Sequence, residues 1–171
     1  MPDTPDSECS VALRTFLDGR WRDWTGLPHG CQHEALAAEL RGGEAEGQGR
    51  LSGRPARFRA YTTPTDNRTI WAWFDDRNDV FLLTETLTGS AEGVEALLRD
   101  LGEPERKLDQ MVGRHADAHQ WIYASRGLTL YVREHNWTIA SVAGYAPSSA
   151  SYYERYLGAQ DQRQYSPDSS L

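Results

Sequence analysis

The sequence predicts an α+β fold built as two tandem helix-plus-antiparallel-sheet units, with the helices packed on one face of the sheet. Three observations lead there. Short runs rich in β-branched and aromatic residues are joined by tight turns, which gives antiparallel neighbours. Helical segments end in glycine. The order helix, strand, strand, strand occurs twice within 171 residues.

Ser10 can cap a helix through Val11, Leu13, Phe16 and Leu17 that stops near Gly19. Trp21 and Trp24 follow in an irregular stretch. A second helix carries Leu36 and Leu40 and ends at Gly42-Gly43, and a charged, glycine-rich loop runs to Gly49. Strands are expected over Ala56–Tyr61, Thr69–Phe74 and Val80–Thr84, with turns at Thr62 to Asn67 and Asp75 to Asp79. Ser90 then caps a helix through Val94, Leu97, Leu98 and Leu101, stopped by Gly102-Glu103-Pro104. A loop of Lys, Asp and Gly leads to strands at Trp121–Tyr123, Leu128–Arg133 and Thr138–Tyr145. Tyr152 to Leu157 reads as a terminal helix, and a polar tail expected to be disordered follows Gly158. The organisation is a lead-in over 1–24, a first unit over 25–86, a second over 87–147, and the terminal helix and tail over 148–171.

Glu34 to Leu40 and Glu95 to Leu101 are identical at four of seven positions. Ile70, Ala72 and Phe74 fall where Leu128, Leu130 and Val132 fall, and Trp73 falls where Tyr131 falls. Duplication is one reading. A single α+β domain without symmetry is the other, because Glu, Ala and Leu are the commonest helix formers. Leu87-Thr88-Gly89, Val94, Leu101-Gly102-Glu103-Pro104, Trp121-Ile122-Tyr123, Gly127-Leu128 and Ile139 to Val142 together resemble the SmpA/OmlA-type modules and the tandem-repeat β-lactamase inhibitor protein fold. The resemblance implies a helical hairpin against an antiparallel sheet and a binding role for the open sheet face. The lipidated and disulfide-forming cysteines of those families have no counterpart here.

A formal charge of −7 and a pI near 5.2 argue against non-specific nucleic-acid binding, which needs a basic patch. The polar, acidic start is unlike a signal peptide, and no apolar run has the length of a membrane span. Cys9 and Cys31 are too few for a disulfide framework and read as free thiols of a cytoplasmic protein.

Chemistry is sparse. Neither a nucleophile elbow nor a phosphate-binding loop occurs, and no cofactor is implied. Asp75, Asp76 and Asp79 can be paired carboxylates but are ordinary turn residues. His29, Cys31 and His33, with His115 and His119, support an alternative: a small metal- or thiol-dependent enzyme. The leading reading is a non-enzymatic protein-binding module of an immunity, inhibitor or adaptor type. Side chains alternate along a strand, so Ile70, Ala72 and Phe74 facing the helices send Trp71 and Trp73 to the other side. Tyr131 and Arg133 should join them, as should Arg59, Tyr61 and Arg57 from the adjacent strand. Trp, Tyr and Arg are the residue types that dominate binding hot spots. The competing outcome is that Trp137 or the Tyr152-Tyr153 helix covers this face and makes it a second core. A third possibility is a structural subunit of a larger assembly, with the sheet edge or open face buried against a neighbour.

Overall fold

The computed structural model describes residues 5–87, 92–109 and 117–158. The expected Ser90 cap, His115 and the tail beyond Gly158 lie outside the described residues. Four strands, β1 (Arg41–Leu51), β2 (Arg54–Thr62), β3 (Thr69–Phe74) and β4 (Val80–Thr86), precede helix α3 (Val94–Leu101). Four more follow it: β5 (Arg106–Asp109), β6 (His119–Tyr123), β7 (Leu128–Arg133) and β8 (Thr138–Tyr145). All eight form one antiparallel sheet in the order β1-β2-β3-β4-β8-β7-β6-β5.

This corrects the expected fold class. Two tandem helix-plus-sheet units do not form. The last strands of the two meanders pair directly, from Leu82 opposite Tyr145 to Thr86 opposite Ser141. The composition of these strands drives the fusion. Seven of eight residues in β8 are buried, on both faces, so β8 is stable only with a neighbour on each side and a layer above and below. Nor are the helices confined to one face. Helices α1 (Pro5–Leu17), α2 (His33–Glu39) and α3 pack on one side, here the helix side. Helix α4 (Ala150–Tyr152) and the π-helical turn Tyr153–Leu157 that continues it pack on the far side.

Helix α1 begins at Pro5, so Ser10 is an interior residue rather than its cap. Cys9, Leu13 and Phe16 point from it into the helix-side core. Trp21 and Trp24 belong to the same core. Phe16 meets both rings edge-on, at 5.1 and 5.6 Å between centroids. Trp24 donates its Nε1–H to the carbonyl of Gly127 at 2.8 Å. Gly127 has φ +64°, and a Cβ there would sit 1.9 Å from the Tyr145 carbonyl oxygen, so the corner between β6 and β7 requires glycine.

Cys9 and Cys31 are joined by a disulfide with a Cα–Cα distance of 5.7 Å, which corrects the free-thiol expectation. The bond ties α1 to the segment entering α2. Both sulfurs sit inside the apolar core. The glycine-rich stretch expected to be a loop is strand β1, and Arg106–Asp109 is strand β5, so each meander has four strands instead of three.

Candidate interaction face

The far side of the sheet is divided in two. Over β6, β7 and β8, the terminal π turn lays Tyr153 and Leu157 onto Ile122, Ala143 and Tyr145. Tyr145 and Tyr153 stack at 5.1 Å. Their hydroxyls are satisfied beneath the cover. Tyr153 donates to Gln120 Oε1 at 2.8 Å and lies 3.4 Å from the Tyr131 hydroxyl, while Tyr145 lies 2.9 Å from Thr129 Oγ1. Burial pushes the Tyr145 hydroxyl far above its ordinary pKa, so it stays a neutral donor. This half is a second core.

Over β2, β3 and β4 the surface is aromatic. Register places Phe58 opposite Trp73, Ala60 opposite Trp71, and Trp71 opposite Thr84. Phe58 and Trp71 stack face to face, 4.8 Å apart and 7° from parallel. Trp73 leans against both, at 5.0 and 6.4 Å, and donates to Thr84 Oγ1 at 3.3 Å. Phe81, at the β-bulge where the register between β3 and β4 shifts, packs on the same cluster. Phe58, Trp71 and Phe81 are half-buried, whereas Trp73 is 1% exposed. Trp71 thus carries accessible ring surface, and Trp73 forms its floor.

The remaining expected face residues lie elsewhere. Tyr61 pairs with Ile70 and points to the helix side, where it is fully buried and its hydroxyl lies 2.7 Å from His33 Nδ1. Burial raises its pKa to about 12. Arg59 pairs with Ala72 on that same side, bonding the Gly43 carbonyl at 2.9 Å with its guanidinium over the Phe74 ring. Arg57 bonds Glu46, Asn78 and the Asp75 carbonyl, which anchors the turn before β4. The error was one of parity: in β2 it is Ala56, Phe58 and Ala60 that share the tryptophan side. Their apolar alternation was visible, and Phe58 is the residue the sequence reading missed. Tyr131 is on the far side but fully buried in a small cluster with Ala118 and Ala140, its hydroxyl 3.4 Å from that of Tyr153. Arg133 is held by Asp117 at 3.0 Å. Trp137 packs with Trp121 against the helix-side core and does not cover the far face.

The catalytic alternative loses its thiol, since Cys31 is oxidised in the disulfide. His33 is engaged by Tyr61, and His119 lies 3.8 Å from Glu134. Among the described residues no three His, Cys, Asp or Glu side chains converge as a metal-binding group. Asp75 accepts from the backbone N–H groups of Arg77 and Asp79 at 2.8 and 3.0 Å, which is turn chemistry. A cleft of ≈ 390 Å³ between α1 and the Trp24–Pro28 segment is lined by Val11, Ala12, Thr15 and Pro28, and its Thr15 hydroxyl donates to the Val11 carbonyl. Among the described residues no helix is long and apolar enough to cross a membrane.

No family model matches the chain, no curated protein matches its sequence, and no solved structure matches its fold.

Proposed function

We propose that this protein is a non-enzymatic binding module that takes a protein partner on the aromatic half of the far side, in the manner of an immunity, inhibitor or adaptor protein. One observation carries the reading. The parallel Phe58–Trp71 pair is half-buried, sits beside Phe81, and rests on a rigid floor of Trp73 and Leu82. Stacked rings that keep accessible surface on a rigid sheet lose little conformational freedom when a partner covers them, which is the economy of aromatic hot spots.

Affinity capture from the native host, repeated with Trp71→Ala, tests this. Wild-type protein should retain a specific partner, and the variant should lose about 2 kcal/mol or more of binding free energy in titration calorimetry. A Trp71→Ala variant that binds the captured partner as tightly as wild type would sink the proposal. The compartment is tested separately. The cytoplasmic expectation rested partly on free thiols, and the disulfide instead favours an oxidising compartment. Alkylation of thiols in intact cells, followed by mass spectrometry, should find Cys9 and Cys31 protected.

A further inference from the structure

The two edges of the sheet are built differently. Strand β5 is four residues long, and a short edge gives another chain little to pair with. Strand β1 is eleven residues long and contains no proline. Among the described residues, 44 to 50 make no backbone hydrogen bond beyond the ladder to β2. Their outward N–H and C=O groups therefore form a template for one more strand.

The side chains on that edge specify which strand. Past the irregularity between Gly42 and Glu46, pairing with β2 is regular from Glu46 to Leu51. Glu46, Gln48 and Arg50 stand on one face, by the two-residue period of a strand. An antiparallel partner centred on Gln48 with the same sequence would set Glu46 opposite Arg50 twice and Gln48 opposite Gln48 once. Opposite charges facing across an antiparallel pair stabilise it, and like charges there destabilise it. On the other face the seam would carry Gly47 opposite Gly49, without side chains. The Phe58 ring already lies over Gly47, where a Cβ would meet it at 2.5 Å. The aromatic strip Trp71–Phe58 thus reaches the edge and would continue across the seam.

We propose that β1 is a strand-addition edge whose occupant is a second copy of this chain, paired antiparallel about Gln48 to make a two-fold symmetric dimer with one continuous sheet. Closed two-fold pairing is the commonest way for a self-complementary patch to be satisfied. The inference is independent of the partner proposed for the aromatic half.

Charge exchange tests it. Arg50→Glu leaves the Glu46–Arg57 ion pair of the monomer in place and sets a new carboxylate against Glu46 of the second copy. Glu46→Arg sets a new guanidinium against Arg50. In sedimentation velocity, wild-type protein should show a concentration-dependent dimer, and each single variant should dissociate about tenfold or more as readily. Mixing the two variants should restore the dimer. In the mixed pair the native Glu46 of one chain faces the native Arg50 of the other, and the two introduced side chains, of opposite charge, face each other. Melting curves by circular dichroism establish that each variant is folded. A wild-type chain that stays monomeric at every concentration overturns the proposal. So does a dimer indifferent to both substitutions, or a mixture that does not re-form it.

Discussion

The two sides of the sheet begin with similar strand chemistry and end differently. Strand β3 sends Ile70, Ala72 and Phe74 to the helix side and Trp71 and Trp73 to the far side, so both sides carry large hydrophobic surface there. On the helix side, three helices and a disulfide cover the sheet and make one continuous core. On the far side, among the described residues, a short helical segment covers β6 to β8, and Phe58, Trp71 and Phe81 over β2 to β4 are half-buried. Alternation decides which side a residue faces. Whether that side is core or surface depends on what else folds over it.

The sharpest way to break this contrast is to truncate one residue from each side of β3. Trp73 is 1% exposed and Phe74 5%, so Trp73→Ala and Phe74→Ala should each cost roughly 3–5 kcal/mol in urea unfolding. A much smaller loss for Trp73 would show that the far side lacks a core of its own there. Next in size is the disulfide. Opening the bond between residues 22 apart, as Cys9→Ser with Cys31→Ser or by reductant, should lower stability by about 3 kcal/mol. The loss should appear as a lower denaturant midpoint. Smaller again is Tyr131→Phe under the terminal π turn. It removes a hydroxyl 3.4 Å from that of Tyr153, for about 1 kcal/mol, and should speed amide exchange in 150–158 more than in α1.

The smallest effect is one of pH. Glu85 is 2% exposed, paired with Arg68 at 2.7 Å, and its Oε1 lacks a hydrogen-bond partner. Burial holds its carboxyl above the ordinary value, with Arg68 opposing. As pH rises through the ordinary carboxylate value, the unfolded chain releases this proton first. Stability from this group is therefore full below that value and is lost as pH climbs through the raised, folded one. Unfolding of Glu85→Gln across the acid range should lack this component. An unchanged pH profile would mean that Glu85 titrates alike in both states.

Much of the strand content was legible. The runs Thr69–Phe74, Val80–Thr84, Leu128–Arg133 and Thr138–Tyr145 announce themselves because they are apolar enough to be buried on one or both faces, although β4 runs two residues further than expected, to Thr86. Helix α3 was legible from its apolar spacing and its glycine stop. Strand β1 was not, because most of its residues face solvent on both sides and its sequence records exposure rather than burial. Within the candidate face, the side of Trp71 and Trp73 followed from alternation, but Phe58 was missed in favour of Arg59 and Tyr61. Register between β2 and β3 decides that choice, and one residue of slip inverts it.

The amino-acid sequence by itself determined the α+β content, the positions of the central strands and the parity of each side chain within its own strand. These follow from local sterics and spacing. Tertiary structure alone decided the rest. It joined β4 to β8 into one sheet, and it brought Cys9 within bonding distance of Cys31. It also buried Trp73 and Tyr131 while leaving Trp71 half-covered. Each of those outcomes depends on contacts between segments far apart in the chain, and a local pattern carries no record of what will pack against it.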